Sequence, residues 1–95
     1  MDERFVICVK ARKDMNGNRC EHWLYAEFDD GIYGSGRPCW CHSDRFCKFF
    51  ESVRDAKEWF ARAKSFLLNS RYEIYDLDFE TLCIKKVIYE KVESL

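Results

Sequence analysis

Ser52-Val53-Arg54-Asp55-Ala56-Lys57-Glu58-Trp59-Phe60-Ala61-Arg62-Ala63-Lys64-Ser65-Phe66-Leu67-Leu68-Asn69 is the stretch whose reading decides the fold. Wrapped at about 100° per residue, Val53, Ala56, Trp59, Phe60, Ala63, Phe66 and Leu67 fall in one arc, and Arg54, Asp55, Glu58, Arg62 and Ser65 lie opposite. The stretch is therefore predicted to be one amphipathic helix. Ser52 supplies an N-cap, its hydroxyl accepting from the backbone N–H of Asp55, and Asp55 stands where a capping box places Glu or Gln. Asn69-Ser70 supplies the stop. A helix with large aromatics on one stripe needs an apolar surface to lie on, and its flanks read as strands of a sheet.

Working back from the helix, residues 4–12 alternate as a first strand, with Phe5, Ile7, Val9 and Ala11 on one side and Val6, Cys8, Lys10 and Arg12 on the other. Asn16-Gly17 between two extended runs predicts a type I′ hairpin turn. A second strand follows over residues 19–28, with Cys20, His22, Leu24, Ala26 and Phe28 toward the core and Trp23 and Tyr25 facing away. Gly31, Gly34 and Gly36 mark a loop that ends at Pro38, the sole proline. Pro38 opens a third strand over Cys39-Trp40-Cys41-His42. Beyond the helix, residues 72–79 and 82–92 read as two more strands with a bend at 78–81. Val87-Ile88-Tyr89 argues for strand rather than helix there. The expectation is a single α+β domain over residues 1–95, an antiparallel sheet of about five strands in the order β-β-β-α-β-β, with one helix across one face.

Composition narrows the function classes. The chain has 95 residues, 47% hydrophobic and 17% aromatic, which describes a packed globule rather than a disordered tail. Its 16 basic and 17 acidic side chains give a formal net charge of -1. A protein whose main task is neutralising phosphates needs clustered positive charge, so nucleic acid is a disfavoured partner. The apolar run from Phe5 to Val9 is too short for a signal peptide, and no stretch approaches the length that crosses a bilayer. The expected setting is the cytoplasm with no membrane contact, where the six cysteines stay reduced.

Trp40-Cys41-His42-Ser43-Asp44, followed by Lys48-Phe49-Phe50-Glu51-Ser52 and the helix bearing Ala56, Trp59 and Ala63, resembles small proteins encoded by phages and mobile elements of Gram-positive bacteria. In those, a strand ends in an aromatic followed by Ser/Thr-Asp, a Phe precedes the cap serine, and an Ala/Trp-rich helix follows. Some small proteins of this origin inhibit host defence systems, including CRISPR nucleases. The resemblance implies an anti-CRISPR-like inhibitor acting in the host cytoplasm. It covers about a third of the chain, and the cysteine content departs from the pattern.

Several constellations carry possible chemistry. Cys39, Cys41, His42 and Cys47 are four soft donors within nine positions, suited by type to tetrahedral zinc, and a zinc-stabilised nucleic-acid-binding domain is the alternative reading. The spacing opposes it, because a strand would turn His42 away from both thiols. Cys39 or Cys41 near His22 or His42 offers a thiolate-imidazolium pair on paper, with no orienting third group or oxyanion hole. Lys10, Arg12, Lys13 and Arg19 gather near the first hairpin, interrupted by Asp14 and Glu21. One helix covers one sheet face only, so aromatics on the other face mark an interface. The sequence thus predicts a non-enzymatic, cofactor-free protein-binding module or homodimer. Its contact residues are expected to be Trp23, Tyr25, Tyr33, Arg37 and Trp40, on the helix-free face and the loop from Gly31 to Pro38.

Overall fold

Alternating apolar positions in the first third of the chain produce two long neighbouring strands, β1 (Asp2–Lys13) and β2 (Arg19–Asp29), in a computed structural model that describes residues 2–29 and 37–89. β3 (Arg37–Cys41), α1 (Val53–Leu67), a 3-10 helix (Ser70–Tyr75) and β4 (Leu77–Tyr89) follow. The strands form one antiparallel sheet in the order β3-β2-β1-β4. Among the described residues no helix is long and apolar enough to cross a membrane.

The hairpin forms where Asn16-Gly17 predicts it, but with a different turn. Gly17 N–H donates to the Asp14 carbonyl at 3.0 Å, and of the turn residues only Gly17, at φ 81°, takes positive φ. A type I′ turn needs positive φ at both central residues. Here Asp14 Oδ1 accepts from the N–H groups of Asn16 and Asn18 at 2.9 and 3.0 Å, and that side-chain bonding holds Asn16 in ordinary backbone.

The helix keeps its expected cap, with Asp55 N–H donating to Ser52 Oγ at 3.1 Å. Ala56, Ala63 and Leu67 are buried against the sheet, while Val53 and Phe66 at the edges of the arc stay exposed. Leu68 ends α1, and Asn69 caps the 3-10 helix by accepting from Arg71 N–H at 3.0 Å.

Among the described residues the sheet has four strands rather than about five, because residues 70–75 are spent in the 3-10 helix. Asp76 then turns through the left-handed region at φ 46°, and all of 77–89 runs as one strand along β1. The bend expected at 78–81 is an irregularity inside β4, where the register steps from Lys10 opposite Asp78 to Cys8 opposite Cys83. Thr81 Oγ1 accepts from Lys10 N–H at 2.8 Å and donates to the Asp78 carbonyl at 2.6 Å, standing in for the displaced ladder carbonyl. Thr81→Val keeps the shape and strands that N–H, so chemical denaturation should show a loss of about 1–3 kcal/mol, restored by Thr81→Ser.

The core lies between α1 and the sheet: Ile7, Val9, Leu24, Ala26 and Trp40 from the strands meet Ala56, Ala63 and Leu67 from the helix. β1 and β2 pair from Lys13/Arg19 to Cys8/Tyr25. Toward the other end the segment leading into α1 bonds to both, Lys48 N–H to the Ala26 carbonyl at 2.9 Å and Phe50 reciprocally to Phe5 at 2.8 and 2.9 Å. Phe50 thereby enters the core against Trp59, ring centroids 5.5 Å apart.

Candidate functional site

The face turned away from α1 is set by strand register. Lys10 stands opposite Trp23, Cys8 opposite Tyr25 and Cys83, and Val6 opposite Lys85. Trp23 is half-buried, with Lys85 Nζ 3.3 Å and Lys10 Nζ 5.9 Å from its ring centroid. Lys10 also reaches Glu21 at 3.6 Å, whereas Lys85 has no carboxylate partner among the described residues. The centre of this face is an indole under an uncompensated ammonium, an arrangement that combines cation-π attraction with aliphatic stems laid over the ring.

The face is not bare throughout. Val6 and Cys8 are fully buried on it, and the Cys8 thiol is raised by burial first and then by Cys83, with the buried Cys47 of the segment before α1 a smaller cause. Tyr25 is half-buried, its pKa raised by burial first and then by Asp44.

Of the five contact residues expected from sequence, Trp23 and Tyr25 share the far face. Trp40 does not. It is 9% exposed and packed under α1, its Nε1–H donating to the Leu67 carbonyl at 2.8 Å, so it is a core residue. Strand alternation puts Trp40 on the side opposite its neighbours Cys39 and Cys41, and that side is the one the helix covers. Arg37 is exposed but lies over Phe66 of α1 at 6.0 Å, which places its guanidinium with the helix. Tyr33 and the loop from Gly31 to Gly36 lie outside the described residues.

The proposed zinc ligands divide across the sheet. His42 stacks on His22, ring centroids 5.2 Å apart, with Tyr75 edge-on to both. Cys39 Sγ instead donates to Glu27 Oε1 at 3.5 Å, and Cys41 Sγ to the Ser43 carbonyl at 3.4 Å. Among the described residues no group of three or more His, Cys, Asp or Glu is placed to hold a metal ion. The same division separates Cys39 and Cys41 from both imidazoles. Burial, with Glu27 as the next cause, pushes the Cys41 thiol up to about 12, the reverse of an activated nucleophile. The basic hairpin cluster is partly neutralised as well, because Arg12 pairs with Asp78 at 3.2 Å and Asp76 at 3.6 Å.

Raised thiols make stability depend on alkaline pH. Burial holds Cys47 at about 11 and Cys41 at about 12, against roughly 8.5 for a free thiol. Between those values the unfolded chain binds fewer protons than the folded one, so stability is complete below about pH 8.5 and falls as pH rises. The melting temperature should therefore fall between about pH 8.5 and 11, and Cys8, pushed up to about 12 chiefly by burial, adds to the fall. Cys41→Ala should flatten that slope relative to the parent.

Sequence reading missed Lys85 as the cover of Trp23 and the Cys8–Cys83 thiol contact, 3.8 Å between sulfurs. Hairpin spacing already brings Lys10 near Trp23, but Lys85 and Cys83 arrive by a register that the irregularity in β4 resets. Comparison of the chain with protein-family models, with curated proteins and with solved structures gives no match.

Proposed function

We propose that the protein is a non-enzymatic binding module that engages another protein through its helix-free face, with Trp23 as anchor and Tyr25 beside it. The observation that carries this reading is Trp23 itself, half-exposed on the face opposite α1 beneath the ammonium of Lys85. Truncation of a central Trp or Tyr dominates many interfaces. A partner presenting a carboxylate to Lys85 and an apolar group to the indole would use both. The resemblance to small phage and mobile-element proteins supports an inhibitor of a host defence nuclease as the role, and self-association through the same face is the homodimer form of the proposal.

The test captures partners from the producing cell and weighs the native complex by mass spectrometry, with the parent and Trp23→Ala side by side. The variant should melt cooperatively and lose at least tenfold in partner affinity, about 1.4 kcal/mol or more. Equal capture by a folded Trp23→Ala protein overturns the proposal. Binding that falls steeply with salt and tracks nucleic acid rather than protein does so too.

A further inference from the structure

α1 lies chiefly over β3, with less contact to β1, and so stands off from β4. The inner side of β4 is left with Leu82 and Ile84 only half-buried, and a groove of about 570 Å³ opens between that strand and the helix. Ile7, Leu82 and Ile84 form its floor, and Phe60 and Ala61 its helix wall. Lys57 and Lys64 flank it, both exposed, and neither forms an ion pair among the described residues.

We propose that this groove binds a long-chain carboxylate, its aliphatic body lying on Ile7, Leu82 and Ile84 and its head group paired with Lys57 or Lys64. The volume of the groove lies within the usual range of small-ligand sites and accommodates one alkyl chain along its apolar floor. Charge selects the head group, because Lys57 and Lys64 at the border of the groove form no ion pair among the described residues. The site is on the opposite side of the sheet from Trp23 and does not depend on the protein-binding reading.

The test is titration of the intact protein with monomeric dodecanoate and, separately, with dodecylamine, by calorimetry and by native mass spectrometry. Dodecanoate should bind one per chain, at least tenfold more tightly than dodecylamine. Lys57→Glu/Lys64→Glu should reverse that preference. Ala61→Trp, which fills the groove from an exposed helix position, should abolish uptake while the melting transition stays cooperative. Equal binding of the two amphiphiles, unchanged binding in a folded Ala61→Trp protein, or a dimer in sedimentation that takes up no dodecanoate overturns the proposal.

Discussion

Trp40→Ala is expected to lower the free energy of unfolding by about 3–5 kcal/mol, the range for deleting a buried Trp. Three losses coincide at this site. The indole is packed with Leu24, Ala26 and Leu67 in the buried cluster, and a cavity replaces it. Its Nε1–H bond to the Leu67 carbonyl, 2.8 Å, disappears at the last turn of α1. β3 loses its main anchor, since Arg37 and Cys41 at its ends are not buried. Against a total of about 5–15 kcal/mol for a domain, such a change leaves a large unfolded fraction at 37 °C. Urea titration followed by tryptophan fluorescence measures it. Trp23→Ala in the same assay should cost about 1–2 kcal/mol, because that ring is covered by lysine stems rather than enclosed. Equal losses for the two substitutions would show that both indoles are structural.

The second large effect is expected from overpacking. Ala56 and Ala63, seven residues apart, are fully or almost fully buried where α1 crosses the sheet, so the helix backbone approaches the strands closely. Leu at either position puts three extra carbons into a seam already filled by Ile7, Trp40 and Phe50. Each replacement should cost about 1–3 kcal/mol, and Ala56→Leu/Ala63→Leu about 2–6 kcal/mol. Leu is as good a helix former as these positions need, so propensity does not account for the loss. Far-ultraviolet dichroism should show the helix retained while the melting temperature falls by 10 °C or more, on the scale of about 4–8 °C per kcal/mol for this size. Unchanged melting would mean that α1 is free to lift away from the sheet.

The first two strands, the hairpin position and the capped helix were legible in the sequence because each rests on neighbours in the chain. Periods of 2 and 3.6 set which side chains share a face, Gly17 supplies positive φ, and the Ser52 hydroxyl reaches an N–H three residues on. The C-terminal third was less legible. Tyr72 to Asp76 carries no glycine or proline to announce the 3-10 helix, whose cap is a single Asn69 bond. The break inside β4 depends on Thr81 meeting Lys10, 71 positions away.

The candidate site divides along the same line. Alternation on β2 alone placed Trp23 and Tyr25 together, and the alternation expected over residues 39–42 separated His42, which lies just past β3, from Cys39 and Cys41. Which face of β3 the helix would cover is a question of packing, and the answer put Trp40 under Leu67 rather than at an interface. Local periodicity determined the elements and their two sides. Only long-range burial decided which side faced α1 and how far the helix stopped short of β4, because those outcomes depend on contacts that no stretch of chain makes with itself.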